Sequence, residues 1–183
     1  MGMPGIKAIY ESRNCLIVIE EYIKGQTIAE RLSDGVIEIE KTIDIVMKIC
    51  KVLDILHNQP MPIVHRDIKP SNVIVTDDGE VYLLDVNVAK WYSPTQNDDT
   101  RYLGTEYYAA PEQVGYGFTS SNPKSDIYAL GVLMNVMITG AFPKEKRVKG
   151  NLWSVIEKCM SLEAEKRYTA RELLEELSAI KIE

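Results

Sequence analysis

An α+β fold, mainly helical and carrying short β-hairpins, is predicted by three features of this sequence. Apolar residues recur at three- and four-residue spacing in several segments, a nearly uniform apolar stretch at 123–139 lies between Pro123 and Gly140, and two pairs of short apolar runs are separated by turn residues. With 183 residues, 45% of them hydrophobic, the chain has apolar material for one sizeable core, so a single structural unit is expected.

The elements follow in order. IKAIYE and CLIVIEEY, within 6–22, read as two strands joined by Ser12-Arg13-Asn14 and ending at Gly25, a hairpin with no evident third strand. A short helix is expected at 26–33 and a long one at 38–58, where Ile39, Ile43, Val46, Cys50 and Leu53 share one face. His57, near its end, reads as a structural histidine. VIVT, Asp77-Asp78-Gly79 and EVYLL form a second hairpin signal. The apolar 123–139 helix should run through the interior as a central pillar. Two amphipathic helices, 151–160 and 170–179, close the chain, the second with Thr169 and Glu172 as its capping box.

Composition excludes several functions. A net charge of -6 supplies no long-range attraction for nucleic acid or an anionic membrane. No apolar run is long enough to span a bilayer and no secretory signal opens the chain, so cytoplasmic residence is the expectation. Cys15, Cys50 and Cys159 are odd in number and far apart inside apolar patterns, which suits buried free thiols better than disulfides or a metal site.

Chemistry concentrates in His65-Arg66-Asp67-Ile68-Lys69-Pro70-Ser71-Asn72, where a carboxylate, an ammonium and an amide fall within six residues. The hairpin after Asn72 runs out and back, returning Asp85 to the same end. An amide oxygen beside a carboxylate is suitable hard-oxygen ligation for Mg²⁺ whose other ligands are phosphates, with Asp67 and Lys69 bordering it.

HRDIKPSN is similar to the catalytic loop of protein kinases, and Gly104-Thr105 with Ala110-Pro111-Glu112 resembles the end of their activation segment. The resemblance runs from residue 6 to about 179 and implies a kinase-like C-terminal lobe over 25–183, preceded by a remnant of the small lobe and hinge over 1–24. By position, Asp67 resembles the residue that orients the substrate hydroxyl and accepts its proton, and Lys69 the one that neutralises the transferring phosphoryl group. Asn72 and Asp85 would hold the metal. Lys69 and Thr105 match the serine/threonine pattern, so the implied substrate is a protein or peptide hydroxyl. Arg66 resembles the arginine of kinases switched by activation-segment phosphorylation, for which Ser93, Thr95 and Thr100 are the candidate acceptors. Glu21, Tyr22 and Ile23 resemble the hinge that meets adenine, with Glu20 near the back of that pocket. Asp126 resembles a helix aspartate bracing the catalytic loop, and Glu112 with Arg167 a buried ion pair.

The chain departs from the pattern in three places. The 183 residues contain no glycine-rich loop, VAIK-type lysine or partner glutamate, so ATP and Mg²⁺ are expected to bind weakly and this chain to show little or no phosphotransfer. Asp85-Val86-Asn87 stands where the family has Asp-Phe-Gly. About eleven residues, including Lys144, Lys146, Arg147 and Lys149, replace an extra helix between Gly140 and Leu152. The alternative reading is a non-catalytic, pseudokinase-like binding or regulatory module. The open edge of the first hairpin predicts homodimerisation or aggregation through residues 6–22.

Overall fold

A computed structural model describes residues 2–93, 107–114 and 121–181. A hairpin of β1 (Ile6–Ser12) and β2 (Cys15–Glu20) is followed by β3 (Gln26–Thr27), α1 (Ile28–Asp34), α2 (Ile39–His57) and β4 (Ile63–Val64). Next come β5 (Val73–Val75), β6 (Val81–Leu83), β7 (Lys90–Trp91), α3 (Pro123–Thr139), α4 (Leu152–Cys159) and α5 (Ala170–Ala179). The helices predicted from periodicity are present, with ends shifted by at most two residues.

The core is helical. Ile127, Leu130, Leu133, Met134 and Met137 of α3 are fully buried, and α2 meets them with Ile49, Cys50 and Leu53. Gly131 lets α4 approach closely, since a Cβ there would lie 2.7 Å from Cys159 Cβ. Three helices begin with reciprocal caps, at Thr27 with Glu30, Asn122 with Ser125 and Thr169 with Glu172, each satisfying backbone donors that the first turn leaves free. Gly140, at φ 71, closes α3 in the left-handed conformation.

No helix forms between Gly140 and Leu152. The buried side chain of Asn135 organises that loop instead: Nδ2 donates to Ala141 O and Lys146 O at 2.8 Å, and Oδ1 accepts from Val148 N at 3.0 Å. Among the described residues three small antiparallel sheets accompany the helices, in the orders β1-β2, β3-β5-β6 and β4-β7.

The β1-β2 hairpin is almost wholly exposed, and among the described residues no third strand joins it. It is tied to the body through Leu83 N, which donates to Gly2 O at 2.8 Å, while Glu21 N, donating to Gly5 O at 2.8 Å, closes the base of the hairpin itself. Its exposure corrects one expectation: Cys50 and Cys159 are buried thiols, but Cys15 is exposed, because it opens β2 where neither sheet face is covered. Burial pushes the Cys50 thiol up to about 12 and raises that of Cys159 as well. Among the described residues no helix is long and apolar enough to cross a membrane.

Candidate active site

The loop at 65–72 leaves β4 under tight constraint. Asp126, 1% exposed in the first turn of α3, accepts from His65 N at 2.9 Å through Oδ2 and from Arg66 N at 2.8 Å through Oδ1. His57 Nε2 lies 2.9 Å from Asp126 Oδ2, so the end of α2 orients the same carboxylate. Arg66 has φ 75, a conformation uncommon for a bulky residue. A second buried contact holds it there, as Gln113 Nε2 donates to Arg66 O at 3.0 Å. Such backbone strain costs roughly 1–3 kcal/mol and persists where surrounding bonds over-determine it. His65 Nε2 is 3.0 Å from Leu84 O, an acceptor only, so that nitrogen carries the proton and Nδ1 accepts the long bond from Asp67 N at 3.4 Å.

Asp67 Oδ2 receives Lys69 Nζ at 2.7 Å and Asn72 Nδ2 at 3.0 Å. Asn72 Nδ2 also donates to Asp67 O at 2.9 Å, which fixes the amide flip and leaves Oδ1 with only a long contact from the Ser71 hydroxyl at 3.4 Å. The hairpin register pairs Val73 with Leu83, and Leu84 N donates to Asn72 O at 2.8 Å. Asn72 and Asp85 are thereby brought to one end of β5-β6. Asp85, at φ 63, holds an exposed carboxylate whose Oδ1 accepts from Asn87 N at 3.2 Å. Aspartate tolerates this backbone better than most residues.

An amide oxygen held only by one long contact and an exposed carboxylate fit a hard divalent cation that takes further oxygens from a ligand. Among the described residues no group of three or more His, Cys, Asp or Glu could hold a metal unaided. Beside Asp85 lies a cleft of about 690 Å³, lined by Leu16, Val18, the segment from Glu20 to Ile23, Ile74 and Leu84 to Asn87. Glu21 and Tyr22 are exposed there, whereas Ile23 is buried into the body. Asp67, Lys69 and Asn72 do not line the cleft but stand beyond its Asp85 end. Another groove, of about 600 Å³ between α1, α2 and Val75, contains none of the candidate site residues.

Ser93 is half-buried just beyond β7. Thr95, Thr100 and Thr105 lie outside the described residues. At the segment's far end, Arg167 pairs with Glu112 through two bonds, Nη1 to Oε1 at 2.7 Å and Nη2 to Oε2 at 2.9 Å, while the Ser125 hydroxyl donates to Glu112 Oε1 at 2.7 Å. Burial pushes the Glu112 carboxyl upward, but the bonds from Arg167 and Ser125 outweigh it and hold the group below its ordinary value.

One supporting residue, Gln113, escaped the sequence reading; it has no signal of its own, because its partner is a backbone carbonyl 47 residues away. His57, expected to be structural, braces Asp126 from the end of α2, a partner that its sequence position did not name.

With this geometry in view, the comparisons with known proteins are decisive. A model of the protein kinase domain matches residues 5–151. Over 136 residues the chain is 37% identical to "Serine/threonine-protein kinase A" of Synechocystis sp., covering 68% of this chain and 26% of that protein. It is 34% identical over 145 residues to "Serine/threonine-protein kinase PrkC" of Bacillus subtilis, covering 76% and 22%, and 30% identical over 190 residues to a probable serine/threonine-protein kinase of Clostridium perfringens, covering 90% and 27%. The chain belongs to the serine/threonine protein kinase family. It spans about a quarter of the length of these relatives.

Proposed function

We propose that this site transfers the γ-phosphoryl group of ATP to a serine or threonine hydroxyl of a protein. The observation that carries the reading is Asp67 Oδ2, shared between Lys69 Nζ and Asn72 Nδ2, beside the β5-β6 end that presents Asp85. In the reaction the substrate oxygen bonds to the γ-phosphorus, the bond to ADP breaks, and the hydroxyl proton passes to Asp67. Lys69, already fixed against Asp67, offsets negative charge on the phosphoryl oxygens, and Asn72 Oδ1 with Asp85 would hold Mg²⁺. Bound there, Mg²⁺ would supply positive charge to offset that of the phosphates. Glu21 to Ile23 would meet the adenine edge in the cleft.

Most of this catalysis is positioning and electrostatics. The 183 residues contain no glycine-rich loop or VAIK-type lysine to hold the phosphates from the other side. Loss of the lysine alone is expected to slow transfer about a hundred- to a thousandfold and loss of both parts to slow it further, so residues 1–183 by themselves are expected to show little or no transfer. The test is transfer of labelled phosphate from ATP to a serine-containing protein, with the chain alone and fused to a segment supplying both parts. The fused chain should label its substrate, and Asp67→Ala should lower that rate by about a hundredfold or more. Labelling that persists in Asp67→Ala would refute the assignment.

A further inference from the structure

Positive charge on this acidic chain is gathered in the loop between α3 and α4. Residues 140–151 carry Lys144, Lys146, Arg147 and Lys149 against Glu145, a net of +3, so with the whole chain at -6 the remainder sums to -9. All four cations are exposed, and among the described residues none has a carboxylate at ion-pair distance. Mutual repulsion should spread such a cluster. The backbone is nevertheless pinned within it, by the buried Asn135 amide at Ala141, Lys146 and Val148 and by the buried Val148 side chain between Arg147 and Lys149. Arg147 is further steadied by its guanidinium, 4.9 Å from the Trp153 ring centroid.

The same loop touches the end of the segment leading to Ala110. The Phe142 ring lies 5.1 Å from Tyr107 and 5.4 Å from Tyr108, centroid to centroid. Tyr108 is buried, but Tyr107 is 67% exposed and has φ 74, a strained conformation for an aromatic residue. Three residues beyond Ala110, Gln113 bonds the carbonyl of Arg66, next to Asp67. A basic loop with a pinned backbone is thus joined through Phe142 to a presented aromatic ring, and through the 108–113 segment to the loop that carries Asp67.

From this juxtaposition we infer that the 144–149 loop, together with Tyr107, recognises an acidic segment of the protein substrate. Carboxylates of an extended peptide meet Lys144, Lys146 and Lys149, and an apolar side chain packs on Tyr107. The inference rests on the phosphotransfer reading only for which serine is modified; recognition itself needs no ATP and is measured without it.

The experiment is fluorescence anisotropy with residues 1–183 and no nucleotide, using a labelled serine peptide rich in Glu and Asp and its Gln and Asn counterpart. The acidic peptide should bind about tenfold or more tightly, and Lys144→Gln, Lys146→Gln and Lys149→Gln combined should remove about tenfold of its affinity, as expected for several exposed charge pairs acting together. Lys41→Gln, Lys51→Gln and Lys166→Gln combined, an equal charge change elsewhere, should change affinity less than about twofold. In the unmodified chain, amide resonances of 144–149 and Tyr107 should shift on adding the acidic peptide, a readout that does not depend on any variant folding. Equal affinity for both peptides, or unmoved 144–149 resonances, would overturn the inference. So would equally tight, loop-dependent binding of a DNA duplex or phosphatidylserine vesicles, since the surface would then read anionic charge in general.

Discussion

At the scale of single residues the candidate site depends on buried groups that hold its backbone in place. Asp126 satisfies two buried backbone donors and one imidazole. Orphaning a buried donor costs about 1–3 kcal/mol, so Asp126→Ala is expected to lose about 3 kcal/mol of stability, measured by urea unfolding, and to release the strained Arg66 backbone. The Glu112-Arg167 pair has a pH signature. Because the folded carboxyl is held below its ordinary value of 4.5, its contribution is complete above that value and is lost as pH falls through the folded pKa. Melting temperature should therefore drop on acidification below about 4.5, and Glu112→Gln, already weaker by about 3 kcal/mol at neutral pH with Arg167 left unpaired, should show a smaller decline. The residues of HRDIKPSN were legible in the sequence because their chemistry is packed into one short run. Gln113 and the His57-Asp126 contact were not, since both are made by tertiary approach of segments tens of residues apart.

At the scale of elements, legibility followed the length of the pattern. α2, α3 and α5 declare themselves through repeated apolar positions or a capping box, whereas β3, β4 and β7 are two residues long and too short to show any period. The Asn135 staple also went unread, because an asparagine inside an apolar helix carries no mark of the loop it will organise. Gly131 is a similar case. Alanine would favour the helix by about 1 kcal/mol over glycine, yet its Cβ would fall 2.7 Å from Cys159 Cβ, 2.9 Å from Met160 Cγ and 3.2 Å from Ile156 O. Backbone and a packed neighbour cannot both yield cheaply, and overpacking costs about 1–3 kcal/mol. Gly131→Ala is expected to be net destabilising by about 1 kcal/mol, with α4 amides exchanging faster with deuterium than in the unmodified chain. An unchanged melting temperature would show that α4 has room to move.

At the scale of the whole molecule the structure has two unequal parts. The helical body buries the apolar faces that the sequence patterns predicted. The β1-β2 hairpin does not: Ile6, Ile9, Tyr10, Leu16 and Ile17 are each more than half exposed. Hydrophobic alternation in 6–22 was enough to identify strands, but a strand pattern says nothing about whether a covering layer is present. A lone two-stranded hairpin is marginal in water, and among the described residues no strand pairs with either outer edge, which leaves backbone groups open beside apolar side chains. Pairing with a second copy would satisfy those groups and bring the apolar side chains of the two edges alongside one another, and a twofold axis would let the same edge serve both partners. Residues 1–183 are accordingly expected to self-associate, with the mass measured by light scattering rising with concentration. Ile17→Lys with Ile19→Lys should suppress the rise while leaving the melting temperature nearly unchanged, because both side chains already face solvent, at 53% and 45% exposure. A mass that stays monomeric at every concentration would count against pairing through this edge.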